Sequence, residues 1–348
     1  DEDQVLDYAE EEIIPYRYSI TSYGADYPID GLVQRLEKEV IFIPKFQRSC
    51  VGSLRMASRF IESLLLGLPV PGIFLSKEPD TGKMLVIDGQ QRLKTLQFFY
   101  QGIFEGKEFR LVGVQPQFEN HTYRSLEEED KLRLDDSIIH ATIVKQDEPT
   151  DDESSIFHIF ERLNTGGMQL QPQEIRACIY YGEFNELLHG LNGYPSWRSI
   201  FGKPSRRLKD QELILRFFAL YFSLNKYKRP MKEFLNDFMA GNRNLRLHKA
   251  DVLSQIFTTS INVVAGALGS QAFRPERVLN VAVFDAVMVG LATRLNQGAI
   301  TDLGHFVSQY QLLHKNQEFL TTTQTATSDV ANVLKRIDLA TKTFSLIK

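Results

Sequence analysis

Tryptophan occurs once in 348 residues and cysteine only twice, at Cys50 and Cys178. The two thiols form no metal-ligand spacing with each other or with histidine, and their scarcity points to a reducing compartment. A cytoplasmic location is the expectation. No apolar run approaches the ~18 residues that a bilayer span requires, and no signal peptide opens the chain, so no membrane partner is expected. Positive charge is not in excess: 40 Lys and Arg stand against 44 Asp and Glu, for a net charge of −4. That excludes a protein that coats nucleic acid through bulk charge, although a local basic surface stays open. The chain also lacks a Walker-type Gly-x-x-x-x-Gly-Lys-Ser/Thr, a Gly-x-Ser-x-Gly and a His-Glu-x-x-His. Its seven histidines are scattered. His314-Lys315-Asn316 hints at a His/Asn nuclease element, but it has no preceding acid and no strand-strand-helix setting.

What is present is an aromatic-rich core in a chain long enough for two domains. Phe occurs 24 times and Tyr 13 times, and hydrophobic residues make up 43%. Residues 1–12 hold seven acids (Asp1, Glu2, Asp3, Asp7, Glu10, Glu11 and Glu12), so residues 1–14 read as a solvated acidic arm. Residues 15–23 look strand-like. Asp30 is positioned to cap a short helix carrying Leu32, Val33 and Leu36, and Val40 to Ile43 form a short buried strand. Leu54, Ala57, Ile61, Leu64 and Leu65 lie at helical spacing, and Gly67 suits the C-terminal cap. Two strands, Ile73–Leu75 and Met84–Ile87, flank the turn chemistry of Pro79-Asp80-Thr81-Gly82 and predict a hairpin. A helix from about Gly89 to Phe104 follows. Residues 108–144 are mixed, with strand candidates at 109–112 and 138–144 around an acidic helix. From about residue 150 nearly every segment is an amphipathic helix, the clearest being 153–163, 172–188, 210–223, 231–239, 250–264 and 277–295, with 327–347 closing the series. The fold class is therefore α+β: a mixed domain at 15–150 and an all-α domain at 151–348.

Three places combine apolar segments with clustered polar residues. At Ile87-Asp88-Gly89-Gln90-Gln91-Arg92 a buried strand runs through glycine into a helix. The first turn of a helix has unpaired N–H groups and the positive end of the dipole, and so attracts anions. Gly89 would let a ligand approach the backbone. Arg92 offers a planar fork to phosphate oxygens. Gln90 and Gln91 could orient water, and Asp88 could hold Mg2+. The alternative is purely structural: Asp88 as N-cap, with an i,i+4 ion pair to Arg92. At Ile43-Pro44-Lys45-Phe46-Gln47-Arg48 a second apolar strand exits into Gln and Arg, which equally describes a surface loop. At Phe160-Glu161-Arg162-Leu163-Asn164-Thr165-Gly166-Gly167 a helix stops at a glycine pair. Basic clusters at Arg206, Arg207 and Lys209, at Lys226, Lys228 and Arg229, and at Arg243, Arg246, His248 and Lys249 could track a DNA backbone, or be ordinary solvated helix ends.

In this order, the motifs resemble one family. Ile43-Pro44 with Phe46-Gln47-Arg48, then 60–71 (FIESLLLGLPVP), then Ile87-Asp88-Gly89-Gln90-Gln91-Arg92-Leu93, then Phe160-Glu161-Arg162-Leu163-Asn164 with Gly166-Gly167 is similar to the DUF262 domain, the N-terminal domain of GmrSD-type modification-dependent restriction systems. The resemblance covers about residues 15–190 and, more loosely, the helices of 212–239. It implies a ParB/sulfiredoxin-like fold in the first half, in which the Asp-Gly-Gln-Gln-Arg element binds and hydrolyses a nucleoside triphosphate with Mg2+. It also implies a role in anti-phage defence, sensing modified DNA and controlling a nuclease. Carried over, Asp88, Gly89, Gln90, Gln91 and Arg92 make the nucleotide site. Gln47 and Arg48 line the same cleft or an adjoining DNA contact, and Asn164 helps to close it. Two departures stand out. Where many relatives continue the first motif with aromatic residues, this chain has Ser49-Cys50-Val51-Gly52. Many relatives also carry a C-terminal His-Asn-His nuclease domain, and these histidines do not form one. If the system cuts DNA, the nuclease would then be a separate polypeptide or a removed segment.

Two functions follow as expectations. One is an NTP-hydrolysing regulatory subunit of a DNA-targeting system, either monomeric or oligomeric. The other is a non-catalytic module gated by nucleotide or DNA. A stand-alone nuclease using Asp88 and Glu161 is a third and weaker reading.

Overall fold

The structure is a computed structural model that describes residues 5–6, 19–43, 53–78, 81–148, 154–163 and 170–347. Its chain contacts define two units, one of residues 17–169 and one of residues 1–16 with 170–348. The class is α+β.

The strands in chain order are β1 (Val5–Leu6), β2 (Ser19–Pro28), β3 (Ile41–Phe42), β4 (Ile73–Lys77), β5 (Met84–Asp88), β6 (Ile103–Phe104), β7 (Lys107–Glu108), β8 (Ile138–Glu148) and β9 (Leu279–Asn280). Five of them form the sheet of unit 17–169, in the order β2-β8-β4-β5-β3. β2 and β8 are antiparallel, β8 and β4 parallel, β4 and β5 antiparallel, and β5 and β3 parallel. The β4–β5 hairpin is the one that the turn chemistry at 79–82 predicts.

Alternate residues of these strands point to one face. Ile73, Leu75, Val86, Ile139, Ala141 and Ile143 join a single apolar cluster with α1 (Ile29–Glu37), α2 (Leu54–Leu65) and α3 (Gln90–Gln101). α1 contributes Ile29, Leu32, Val33 and Leu36. Pro28 rather than Asp30 stands at its N-cap, so Asp30 lies inside the first turn. α2 starts at the Ser53 cap, whose hydroxyl accepts from the Met56 N–H. α3 ends where Gly102 turns left-handed at φ 76°. Ile103 therefore leaves the helix expected over 89–104 and is exposed on the short β6–β7 hairpin. The strand candidate at 109–112 is a loop, because Leu111 exchanges backbone hydrogen bonds with His121 and Asn120 rather than with a sheet neighbour. α4 (Glu128–Asp135) precedes β8. α5 (Ser154–Leu163) packs against β5, so it groups with the sheet and not with the later helices.

The second unit contains ten helices among the described residues: α6 (Pro172–Ile179), α7 (Glu183–Asn192), α8 (Pro195–Phe201), α9 (Lys209–Ser223), α10 (Met231–Gly241), α11 (Ala250–Leu268), α12 (Val281–Leu295), α13 (Leu303–Leu313), α14 (Gln317–Gln324) and α15 (Val330–Phe344). The helix expected over 172–188 is broken at 180–182. There a side chain on Gly182 would meet the Arg243 carbonyl oxygen at 2.7 Å, a close approach set by a residue far along the chain. α11 is long and apolar enough to cross a membrane by length and composition, which corrects the expectation that no segment qualifies. Its residues Leu253, Phe257, Ile261 and Val264 recur at three- and four-residue spacing and are buried, and the helix packs against α8, α12 and α13. The acidic arm is not wholly solvated either, since Val5 and Leu6 pair in parallel with Leu279 and Asn280.

Candidate functional site

The Asp88–Arg92 element sits where β5 passes into α3. Gly89 forms the joint with φ 96°, a left-handed conformation that glycine adopts without strain. Its missing side chain has an internal reason. A Cβ there would lie 2.4 Å from Ile73 Cγ2, so Gly89 lets the joint close onto β4. The space that glycine frees here, which a ligand could otherwise use, is filled by Ile73, a core residue.

No side chain caps the start of α3. The first intrahelical bond runs from the Leu93 N–H to the Gly89 carbonyl. Ahead of it lie the backbone N–H groups of Gln90, Gln91 and Arg92, the donors that a helix leaves over at its start. Gln91 is exposed and Gln90 half-buried.

Arg92 reaches back across this turn. Its Nη2 meets Asp88 Oδ2 at 2.8 Å, and its Nη1 donates to the Pro71 carbonyl at 2.9 Å. The Asp88–Arg92 ion pair of the structural alternative is therefore present, but Asp88 is not the N-cap. The guanidinium carries five N–H groups. Two are used by Asp88 and Pro71, and the other three have no partner among the described residues. The Arg92 side chain is 18% exposed and that of Asp88 41%. The result is an oriented cationic fork beside uncapped backbone donors, a combination suited to the oxygens of a phosphate. For Mg2+ the fit is narrower. Asp88 Oδ1 remains as one hard oxygen ligand, and no group of three or more His, Cys, Asp or Glu clusters among the described residues. Mg2+ commonly takes one or two carboxylates together with substrate phosphates, so one protein oxygen is the minimum such a site needs.

The hairpin irregularity bears on this geometry. Between Phe74 and Leu75 the β4–β5 register shifts, and Asp88 ends opposite Phe74. Bulges of this kind re-aim side chains. Leu75 faces Val86 within the core, whereas Phe74 and Asp88 form a pair on the opposite face.

Gln47, Arg48 and Asn164 lie outside the described residues. The basic candidates belong to the second unit. Arg206 and Arg246 are exposed and Lys209 half-buried. Arg207 is 3.2 Å from Glu174, and the Arg243 Nε donates to the Tyr181 carbonyl at 2.8 Å.

Strand register also brings together a pair that no contiguous motif contains. His140 of β8 lies directly across from Asp26 of β2, with Nδ1 2.8 Å from Asp26 Oδ1. A polar residue within the apolar alternation of 138–144 was the local signal for His140. Its partner is 114 positions away, and only strand register reveals it.

Residues 29–181 match the family model described as the GmrSD restriction endonuclease, N-terminal domain. No curated protein matches the chain.

Proposed function

Residues 29–181 belong to the GmrSD N-terminal domain family, so the chain has a restriction-system-related role; from that premise we propose that it is the nucleotide-binding regulatory subunit of a DNA-targeting, anti-phage system. The phosphates of a nucleoside triphosphate lie over the first turn of α3. The backbone N–H groups of Gln90, Gln91 and Arg92 donate to them, and the Arg92 fork, held in place by Asp88 and Pro71, adds charge. The single observation that carries this reading is the pairing of an uncapped helix start with a guanidinium that two neighbours have already oriented.

Hydrolysis extends the same site. Water held by Gln90 or Gln91 adds to the γ-phosphorus, and the bond to the β-phosphate oxygen breaks to give nucleoside diphosphate and inorganic phosphate. Mg2+, bound by Asp88 Oδ1 and the phosphates, would offset the charge of the polyphosphate. The protein works in the cytoplasm beside a separate nuclease, with DNA contacts from Arg206, Lys209 and Arg246. A second reading, a nucleotide-gated interaction module without turnover, draws support from Asp88 itself, since one oxygen of the motif's only carboxylate is already engaged by Arg92.

Phosphate release with each NTP, with and without DNA, measured beside ligand-induced thermal stabilisation, separates the readings. Stabilisation with release supports the hydrolase, and stabilisation without release supports the module. Arg92→Ala removes a charge-assisted interaction worth roughly 1.5–3 kcal/mol, so NTP affinity should fall about 10- to 100-fold. A folded Arg92→Ala protein that NTP still stabilises fully would remove the phosphate site from α3.

A further inference from the structure

The re-aimed Asp88 shares its face of the sheet with residues outside the phosphate motif. Across the ladder Asp88 pairs with Phe74, Phe74 with Thr142, and Thr142 with Gly24. Two residues along the same strands, His140 pairs with Asp26. Residues directly opposite one another point to the same side of a sheet, and so do residues two apart on one strand. Asp88, Phe74, Thr142, His140 and Asp26 therefore project from one face, away from the apolar cluster that holds Leu75, Val86, Ala141 and Ile143. Together they make a shelf with Asp88–Arg92 at one end and His140–Asp26 at the other. Two strand spacings sideways and two residues lengthwise put the two ends roughly 12 Å apart.

The His140 end has the features of a contact point. Asp26 is an acceptor when ionised, so the hydrogen between it and the imidazole sits on Nδ1. In the neutral ring Nε2 then carries a lone pair, and it has no partner among the described residues. The ring lies against bare backbone. A Cβ on Gly24 would fall 2.8 Å from His140 Cε1, and one on Gly72 would fall 2.7 Å from the His140 carbonyl oxygen. Any larger residue at either position would displace the imidazole or its strand. Gly72 also follows Pro71, whose carbonyl holds Arg92, so one short segment braces both ends of the shelf. The His140 and Asp26 side chains are 61% and 66% exposed, which leaves the shelf open to solvent on that side.

We propose that this shelf is the base-binding half of the nucleotide site. The base lies over Phe74 and Thr142, and His140 Nε2 accepts a hydrogen bond from an exocyclic amino group. The inference rests on the phosphate reading of α3 and adds a selectivity to it: triphosphates whose base carries an amino group are preferred over UTP, whose base has none. The span of the shelf suits a nucleotide, and Phe74 at its centre offers a flat surface for stacking.

Dissociation constants for ATP, GTP, CTP, UTP and inorganic triphosphate, measured on the wild-type chain, His140→Ala, His140→Gln and Arg92→Ala, decide it. In the wild type at least one of ATP, GTP and CTP should bind more tightly than UTP. His140→Ala should weaken that nucleotide roughly three- to tenfold, the worth of one hydrogen bond, and leave UTP and inorganic triphosphate unchanged. His140→Gln, which keeps an acceptor, should recover part of the loss. Arg92→Ala should weaken all five ligands. If His140→Ala leaves every nucleotide unaffected while Arg92→Ala weakens them, the shelf is overturned and the phosphate site stands. If the wild type binds neither nucleotide nor triphosphate, the phosphate site itself is overturned, and the shelf with it.

Discussion

Each unit of the molecule holds arginine against aspartate, and the two arrangements differ in almost every physical respect. In the helical unit Arg216 of α9 grips both oxygens of Asp285 of α12, at 3.1 and 2.6 Å. Arg336 of α15 meets the same carboxylate at 3.1 Å and donates to the Thr327 carbonyl at 2.5 Å. Asp285 and Arg336 are fully buried. In the sheet unit the Asp88–Arg92 and Asp26–His140 pairs face solvent, join neighbours on one strand-helix joint or one ladder, and leave donors or a lone pair over. Burial makes the first arrangement a tie between three helices. It stores a large desolvation cost that the shared carboxylate offsets, and the one donor left over there, Arg336 Nε, is buried rather than offered to solvent. Exposure makes the second nearly neutral for stability and keeps its groups available to a ligand.

Breaking each arrangement should show this difference, and the buried one should give the largest effect. Asp285→Ala leaves two guanidiniums in the interior without their shared carboxylate. We expect a loss of about 3–5 kcal/mol in unfolding free energy, read by chemical denaturation. A loss below ~1 kcal/mol would mean that water reaches the triad and that the contrast with the sheet unit is false. The Arg92→Ala exchange described above is the matching test. It should alter stability by less than ~1 kcal/mol while removing most of the nucleotide affinity.

How much of this could be read from the sequence follows the range of the interactions. Local chemistry was legible. The helical spacing from Leu54 to Leu65 gives α2, the two strands flanking turn residues give the β4–β5 hairpin, and the four-residue spacing of Asp88 and Arg92 gives their pair. Features that depend on distant partners were not. Leu111 looks like a strand residue until His121 and Asn120 take its backbone groups. The stretch 172–188 looks like one helix until Gly182 passes under the Arg243 backbone. The candidate site divides in the same way. Its phosphate end is a contiguous motif, whereas its His140 end needs the β2–β8 register and the bulge that turns Asp88 toward it.

Gly89 sharpens the comparison from the other side, since it is a site residue whose demand is structural. Gly89→Ala combines a positive φ with a Cβ 2.4 Å from Ile73 Cγ2, and should cost about 1–3 kcal/mol. Ile73→Ala in the same chain should recover the part due to the clash, so the double variant should be less destabilised than the sum of the two single ones. Strict additivity in denaturation would show that Ile73 gives way freely, and would return the space at Gly89 to a ligand.

The smallest expected effect again concerns a buried group. His314 of the helical unit lies between Tyr310 and Phe319, with ring centroids 4.2 and 5.5 Å away. Its Nδ1 is 2.9 Å from the Tyr310 carbonyl and therefore carries the hydrogen, while Nε2 is buried without a partner among the described residues. Burial lowers its proton affinity below the ordinary value of 6.5, against a smaller opposing pull from the Tyr310 carbonyl. Below that pH the unfolded chain takes up a proton that the folded chain resists. Stability should therefore be unaffected by this group above about pH 6.5 and should fall as the pH drops beneath it. The His140 side chain of the sheet unit is 61% exposed, so its replacement removes no buried group and serves as the control. Melting temperatures of the wild type, His314→Phe and His140→Phe between pH 7.5 and 5.5 isolate the contribution, and only His314→Phe should flatten the acid slope. An equal flattening by His140→Phe would place both histidines in comparable surroundings and erase the distinction between the two units at this pair of residues.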